Sequence, residues 1–211
     1  MATPDPGRAY GYRDAAPSHS QTYLSAPLDR LIASRAWASP SKALDYGCGN
    51  GWFANWLSEK GFQTSGVDIS PSGIEQARRA FPHVAFTTDV SPASLSRLGP
   101  FDLVTCIEVI AHCYKPLEEL GRIHSSLKPG GLFILSTPYH GYLKFLALAA
   151  TGRMEKYLDT SWAGAYVHHF APRSITKLLA DAGFTDIAIS RAVRIPALAK
   201  SMIVTCTKPS A

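Results

Sequence analysis

The sequence lacks the features that mark several specialised classes of protein. It has only four cysteines among 211 residues, and none of them forms a C-x-x-C pair, which argues against a disulfide scaffold. Free thiols in a reducing compartment are expected, and with them a cytoplasmic location. The first ten residues, M-A-T-P-D-P-G-R-A-Y, hold no continuous apolar segment, so no secretory signal is predicted.

Long hydrophobic runs and blocks of one charge are also missing. The most apolar stretch, Leu143 to Ala150, is far too short to span a bilayer. The formal charge is +5, but lysine and arginine are spread along the whole chain without a basic run. Such a mild excess is a weak signal for an anionic partner, so we predict no nucleic-acid binding. What remains is the composition of an ordinary globular protein, long enough for one domain.

Short apolar stretches alternate with helical patterns after Pro40. Residues 1–20, rich in Pro, Gly, Ala and Ser, are predicted to be a flexible arm, and residues 21–211 a single domain. The predicted helices are Leu24–Trp37, Trp52–Lys60, Ser72–Ala80, Pro116–Leu127 and Ser174–Ala182. The predicted strands are Ala43–Tyr46, Thr64–Asp68, Val84–Thr87, Phe101–Ile107, Leu132–Ser136, Thr185–Ile189 and Met202–Thr207. A capping box of Ser72 with Glu75 would begin the third helix.

This alternation predicts an α/β fold whose mostly parallel sheet is covered by helices on both faces. The short connection between the last two strands suggests an antiparallel hairpin at the sheet edge. Ligands of such sheets bind beyond the carboxyl ends of the strands, where the strand order reverses. The candidate site residues should therefore follow strands one to five.

A glycine-rich turn, D-Y-G-C-G-N-G, follows the first strand and leads into a helix. Its glycines permit positive φ and a close approach of the backbone to a ligand. The spacing is G-x-G-x-G, whereas dinucleotide-binding enzymes prefer G-x-G-x-x-G. Asp45, directly before the turn, would repel a pyrophosphate and attract a cationic amine. The turn therefore favours a nucleoside that carries an amino acid.

Acidic residues also follow the next strands. Asp68, in G-V-D-I, is suited to bonding both ribose hydroxyls, with Ile69 packed on the adenine ring. Asp89, in T-T-D-V, is predicted to accept a hydrogen bond from the adenine amino group. Ile107 and Glu108, at the end of strand four, would form the floor beneath a methionine portion.

The stretches A-L-D-Y-G-C-G-N-G, G-V-D-I, F-D-L-V and L-K-P-G-G-L-F-I-L-S-T-P, over about residues 40 to 138, resemble class I methyltransferases. The resemblance implies a Rossmann-like seven-stranded sheet and S-adenosyl-L-methionine as the cofactor. The predicted cofactor-binding residues are Asp45, Gly47, Cys48, Gly49, Asp68, Ile69, Asp89, Val90, Ile107 and Glu108.

A second, less specific resemblance covers about residues 105 to 207. S-T-P-Y-H-G-Y-L-K-F-L and H-H-F-A-P-R-S-I-T-K-L-L-A-D-A-G-F are similar to the branch of ubiquinone-biosynthesis O-methyltransferases and their bacterial relatives. That branch often has E-x-x-E-H after strand four, acids that some members associate with a divalent metal. Here Ala111 replaces the second acid. Glu108 and His112 alone would form a weak site for a hard cation, so no metal is predicted.

Methyl transfer to a hydroxyl benefits from a base that titrates near neutral pH, the natural range of histidine. His112 follows strand four and His140 follows strand five, and we predict that one of them is the base. The region from about 139 to 170 is dense in aromatic residues and is predicted to be a lid over a planar or apolar acceptor. Its predicted substrate contacts are Tyr139, Trp162, Tyr166 and His168.

Two questions stay open at the level of sequence. Residues 143–150 form either a buried lid helix, which we favour, or a segment that rests on a membrane surface. The predicted activity is methylation of a phenolic or quinol-like hydroxyl on a small molecule. The alternatives are N- or C-methylation of a small metabolite and a cofactor-binding protein without catalysis.

Overall fold

Short apolar stretches of the chain form the seven strands of one sheet. The computed structural model describes residues 14–158, 166–193 and 198–210. The strands are β1 (Lys42–Tyr46), β2 (Gln63–Val67), β3 (Ala85–Thr87), β4 (Phe101–Ile107), β5 (Leu127–Pro138), β6 (Thr185–Ala192) and β7 (Ser201–Thr207). Their order across the sheet is β3-β2-β1-β4-β5-β7-β6. The predicted Rossmann-like fold is confirmed.

The five strands from β3 to β5 are parallel, and β7 runs antiparallel between β5 and β6. The chain builds outward from β1 to β2 and β3, then returns to add β4 on the other side. The strand order therefore reverses between β1 and β4, where this class of sheet binds its ligands.

Helices cover both faces of the sheet. They are α1 (His19–Ala33), α2 (Trp52–Glu59), α3 (Pro71–Ala80), α4 (Pro92–Leu98), α5 (Pro116–Ser126), α6 (Tyr142–Ala150), α7 (Met154–Tyr157) and α8 (Pro172–Asp181), with a short 3₁₀ helix at Ile110–His112. Neighbouring strand residues point to opposite faces. Accordingly, Ala43 packs with α1 and α2, while Leu44 packs in the core that contains α5 and α8.

Several predicted boundaries were wrong for local reasons. Helix α1 begins at His19 and ends at Ala33, rather than spanning 24 to 37, because Ser18 and Gln21 form a capping box. Residues 19 and 20 are therefore helical. The cap of α3 is Ser70, whose Oγ accepts from the Gly73 N–H, so the predicted box at Ser72 is also wrong.

Two further differences concern β5 and the stretch after it. The K-P-G-G segment lies inside β5, whereas the predicted strand begins only at Leu132. The strand starts earlier because Leu127 pairs with Phe101, and the register then shifts before Leu132 pairs with Leu103. The stretch around 143–150 is a helix, α6, but it has no buried residue. The predicted helix is therefore present, but the prediction that it is buried is wrong.

Candidate cofactor and acceptor site

The glycine-rich turn leaves the end of β1 and enters α2 at the point where the strand order reverses. The Gly47 and Cys48 N–H groups both donate to the Val67 carbonyl, at 2.7 and 3.0 Å, which joins the turn to the end of β2. Gly47 has φ +81°, and a Cβ placed there would lie 2.4 Å from a methyl carbon of Val109. Only glycine fits this conformation and this space.

Asp45 lies near the end of β1, directly before the turn, and faces β4. Its Oδ1 accepts from the Thr105 hydroxyl at 2.9 Å, and Thr105 is its register partner on β4. Its Oδ2 is buried and has no hydrogen-bond partner among the described residues. Burial, reinforced by the charge of Asp68, raises the pKa of Asp45 to about 7, although the Thr105 hydrogen bond opposes the rise. A buried carboxyl of this kind would be favoured in its charged form by a cationic group.

Asp68 follows β2 and ties the turn to the start of α3. Its two carboxylate oxygens accept from the Gly49 and Ser70 N–H groups, each at 2.8 Å. A carboxylate offers about four acceptor positions, so the same group can hold the turn and accept from ligand hydroxyls. The next side chain, Ile69, is 63% exposed, and it provides an apolar surface beside Asp68.

The loop after β3 is more open. Asp89 is exposed, accepts from the Ser91 N–H at 2.9 Å and lies 3.6 Å from the Arg97 guanidinium. Hydrogen bonds from Ser91 lower its pKa, with a smaller contribution from Arg97. Val90, in the same loop, is half-buried and packs against the hydrophobic core that contains α5 and α8. Ile107, another predicted cofactor residue, is the last residue of β4.

Glu108 directly follows β4 and has φ +59°, a left-handed conformation that is uncommon for a residue with a side chain. Ser136, on β5, hydrogen-bonds both the backbone and the side chain of Glu108. The Glu108 N–H donates to the Ser136 carbonyl and Oγ at 3.1 and 3.0 Å, and the Ser136 hydroxyl donates to Glu108 Oε1 at 2.9 Å. Strained backbone of this kind is concentrated at functional sites.

The two predicted catalytic histidines lie in different surroundings. His140 is buried, and its Nδ1 lies 3.1 Å from the Phe170 carbonyl. Burial lowers the pKa of His140 to about 4 despite that bond, so its ring is neutral at neutral pH. His112 ends the 3₁₀ helix, is half-buried and packs its ring against Tyr166, with 4.8 Å between ring centroids.

The predicted substrate residues lie around these histidines where the structure describes them. Tyr139 is buried, with the Arg191 guanidinium 5.2 Å from its ring centroid. Tyr166 contacts His112 and also His169. His168 stacks on Phe170, and its Nε2 is buried without a hydrogen-bond partner among the described residues. Trp162 lies outside the described residues.

Ala111, at the position where the related branch has a second acid, is fully buried. Its carbonyl accepts from the Val167 and His168 N–H groups at 2.9 and 3.0 Å, which holds the last part of the predicted lid region against the 3₁₀ helix after β4. A carboxylate at this position would have to be buried. Among the residues that the structure describes, no group of three or more His, Cys, Asp or Glu side chains is placed to hold a metal ion.

Sequence reasoning missed two groups of contacts at this edge of the sheet. Asn50, in the glycine-rich turn, donates to the carbonyls of Asp14 and Ala16, each at 2.9 Å, and so holds the chain before α1 against the turn. Tyr23 on α1 hydrogen-bonds Ser201 on β7 at 2.8 Å, next to Glu108. Only Asn50, inside a recognised motif, carried a sequence signal.

Comparison with known proteins agrees with this geometry. Residues 18–189 match the family described as a methyltransferase domain, so the chain belongs to that family. Its cofactor is S-adenosyl-L-methionine, and the acids and glycines at the ends of β1 and β2 fit that cationic nucleoside. This fit depends on the exposed Ile69 and on the buried Asp45 Oδ2, which has no hydrogen-bond partner within the described part of the chain.

Curated relatives include ubiquinone biosynthesis O-methyltransferases from several bacteria. The protein from Caulobacter vibrioides is 35% identical over 132 residues, covering 60% of this chain and 52% of its own length. The protein from Psychrobacter arcticus is 28% identical over 174 residues, covering 77% and 65%. The chain thus spans between about half and two thirds of the length of these relatives.

Solved structures of methyltransferases share the fold at low identity. A magnesium protoporphyrin IX methyltransferase from Synechocystis, solved with bound S-adenosylhomocysteine, has a TM-score of 0.65 at 22% identity, covering 95% of this chain and 91% of its own. A methyltransferase from Archaeoglobus fulgidus has a TM-score of 0.64 at 19% identity, covering 90% and 95%.

Two further observations concern the cysteine thiols and the length of the apolar helices. All four cysteines are free thiols, and Cys48, inside the glycine-rich turn, is buried. Burial raises the pKa of the Cys48 thiol well above its usual value. No helix within the described ranges is both long enough and apolar enough to cross a membrane.

Proposed function

We propose that this protein transfers a methyl group from S-adenosyl-L-methionine to a phenolic or quinol-like hydroxyl of a small molecule. The observation that carries the proposal is the division of the sheet edge at β4. Acids and glycines lie on the β1–β2 side, and histidine and tyrosine rings lie on the β5 side. The names of the curated relatives support a hydroxyl as acceptor.

On the cofactor side, we assign each part of S-adenosyl-L-methionine to the residues whose charge or apolar surface suits it. Asp45 attracts the cationic methionine portion above Gly47, Cys48 and Gly49. Asp68 accepts from the ribose hydroxyls, and Ile69 packs on the adenine ring. The outer edge of the adenine and the floor of the site belong to Asp89, Val90 and Ile107, and the Glu108 carboxyl lies where this floor meets the acceptor side.

On the acceptor side, Tyr139, Tyr166 and His168 form the wall of a pocket for a planar molecule, within a lid region at about 139–170. The low pKa of His140 argues that its ring shapes this wall rather than accepting a proton at neutral pH. In this proposal, His112 is the one of the two histidines that contacts the acceptor hydroxyl.

The protein's contribution to the reaction is mainly alignment. The bound cofactor supplies an electrophilic methyl group, and the chain must hold an acceptor oxygen in line with it. Correct positioning alone can lower such a barrier by about 7–11 kcal/mol. A side chain that removes the hydroxyl proton adds roughly 10²–10⁴-fold in rate.

A screen with isotopically labelled S-adenosyl-L-methionine tests the proposal. We expect label transfer to the oxygen of a phenol, catechol or quinol, with no transfer to amines. The His112→Ala and His140→Ala variants should be assayed in parallel. Label only on nitrogen or carbon would contradict the hydroxyl assignment, and cofactor binding without transfer to any acceptor class would favour a non-catalytic protein.

A contact with a membrane surface is a second proposal, favoured by the exposure of α6. Tyr142, Leu143 and Leu146 are 79%, 54% and 52% exposed, an unusual state for three large apolar side chains on one short helix. Such a surface would bring the acceptor site close to an apolar substrate. The free thiols support a cytoplasmic location for this protein.

A further inference from the structure

Glu108 lies among hydroxyl groups from three separate elements. Tyr23 on α1 bonds the Ser201 hydroxyl on β7 at 2.8 Å, and Ser201 is near enough to Glu108 to lower the pKa of its carboxyl. On the other side, the Ser136 hydroxyl of β5 donates to Glu108 Oε1 at 2.9 Å. Because Ser136 Oγ already accepts from the Glu108 N–H, its proton is directed to the carboxylate.

The partners of this carboxyl all lie on one side of β4. Ser136 and Ser201 belong to β5 and β7, on the far side of β4 from β1 and the glycine-rich turn. Tyr139 and His140 directly follow β5, so they belong to the same half of the sheet edge. The carboxyl therefore faces the predicted acceptor side rather than the cofactor side.

Building on the proposed function, we propose that Glu108 is the catalytic residue that accepts the proton of the acceptor hydroxyl, and that Tyr23 positions it through Ser201. As the acceptor oxygen forms its bond to the methyl carbon, the O–H proton passes to the Glu108 carboxylate. The methyl–sulfur bond breaks with its electron pair left on sulfur, which gives S-adenosylhomocysteine, the methyl ether and a neutral carboxyl. The proton then leaves to solvent and restores the carboxylate.

The electrostatics of the carboxyl fit a base. Burial raises the pKa of Glu108, while hydrogen bonds from Ser136 and Ser201 and the charges of Lys200 and Lys144 oppose the rise. A carboxylate whose pKa is moved toward the working pH is a stronger base than an exposed one. Tyr23 stays protonated, because burial and the Glu108 charge raise its pKa to about 12, so it remains available as a donor to Ser201.

The test uses 4-nitrocatechol, a phenolic acceptor whose absorption moves to longer wavelength when a hydroxyl ionises. The full-length protein is saturated with sinefungin, a cofactor analogue with an ammonium group in place of the sulfonium. The probe is then added at a pH where it is mostly neutral in solution. We expect the wild-type protein to bind it as the ionised form, and Glu108→Gln to bind it as the neutral form.

Methyl transfer to the same probe is measured in parallel. Glu108→Gln should lower kcat by about 10²–10⁴-fold, with the Kd for S-adenosylhomocysteine within about threefold of wild type. Glu108→Asp should recover part of the loss, because it keeps a carboxylate. Tyr23→Phe should lower kcat less than Glu108→Gln does and leave the Kd unchanged. His112→Ala is the matched comparison and should lower kcat by less than about tenfold.

Each failure has a distinct meaning. The Glu108 role is overturned if Glu108→Gln ionises and methylates the probe like wild type, if it loses S-adenosylhomocysteine binding, or if His112→Ala abolishes ionisation instead. If wild-type protein binds S-adenosylhomocysteine but neither ionises nor methylates the probe, the assignment of a phenolic acceptor falls, and the Glu108 role falls with it.

Discussion

The buried carboxyl of Asp45 is the side chain that we propose to hold the cationic part of the cofactor. The acid was predicted from its place before the glycine-rich turn, but its state depends on packing. Among the described residues only one of its oxygens has a hydrogen-bond partner, Thr105, and burial raises its pKa to about 7. A carboxyl with a pKa of about 7 is only partly charged at neutral pH, and a nearby cation favours its charged form. Its ionisation should therefore be coupled to binding of the cationic methionine portion.

This coupling predicts how affinity depends on pH. Asp45 is mostly protonated below about pH 7 in the free protein. If its charged form holds the cationic methionine portion, as proposed, binding below that pH must release a proton. We expect the Kd for S-adenosylhomocysteine to rise by up to about tenfold between roughly pH 7 and pH 6. Calorimetric titrations at several pH values measure it. Asp45→Asn is the isosteric control and should remove the dependence; an equal dependence in this variant would exclude Asp45 as the source.

Asp68 gives a second prediction at this scale. Its carboxylate is fixed by two N–H groups of the turn and of α3, which orients it for ribose hydroxyls. Asp68→Ala should weaken S-adenosylhomocysteine binding by about 1.5–3 kcal/mol, the range for hydrogen bonds to a charged group. Asp181→Asn, which removes an exposed acid paired with Lys177, is the control and should leave affinity unchanged. Unchanged affinity in Asp68→Ala would refute the ribose role.

At the scale of elements, the helices and strands nearest the motifs were the most predictable. The glycine-rich turn fixes the end of β1 and the start of α2, and apolar stretches identify β2 and β4. The K-P-G-G segment misled because Pro and Gly usually end a strand, whereas here the pairing of Leu127 with Phe101 continues β5 through a shift in register. Only the partner strand reveals this, and a single sequence does not contain the pairing.

Helix α1 shows a similar limit. Ser18 and Gln21 form a local capping signal, but the surrounding Pro, Gly and Ser favoured an arm. Ser18→Ala removes the side-chain acceptor of the Gln21 N–H and should lower the free energy of unfolding by about 1 kcal/mol. Chemical denaturation measures this change, and Ser210→Ala near the chain end is a neutral control. No change in Ser18→Ala would mean that the cap adds nothing to stability.

Helix α6 carries a prediction about surfaces. Leu143→Lys/Leu146→Lys should leave the unfolding free energy within about 0.5 kcal/mol of wild type, because both side chains are exposed. If α6 rests on a membrane, the same double variant should bind vesicles of neutral lipid less than wild type in a sedimentation assay. Leu117→Lys, at an exposed leucine on α5, is the control. Equal vesicle binding by all three proteins would contradict a membrane role for α6.

At the scale of the whole molecule, the sheet order explains why local motifs sufficed for the cofactor and not for the acceptor. The ends of β1 and β2 are adjacent and close in sequence, so their acids could be assigned together. The proposed acceptor side is assembled from β4, β5, β7 and α1, and its Tyr23–Ser201 contact joins residues 178 positions apart. Such long-range contacts depend on tertiary packing, which leaves no periodic signal in the sequence.

The molecule as a whole therefore combines a cofactor half, defined by short motifs, with the proposed acceptor half, defined by packing around Glu108 and His140. The cofactor half separates this protein from nucleotide-dependent oxidoreductases of similar topology. Its turn has G-x-G-x-G spacing, with an acid that would repel a pyrophosphate. Which nucleoside the protein binds is therefore the property on which the rest of the account depends.

Calorimetric titration of the wild-type protein with S-adenosylhomocysteine and, separately, with NAD tests this property most directly. We expect saturable binding of S-adenosylhomocysteine at one site per chain and no saturable binding of NAD. Binding of NAD without binding of S-adenosylhomocysteine would contradict the account.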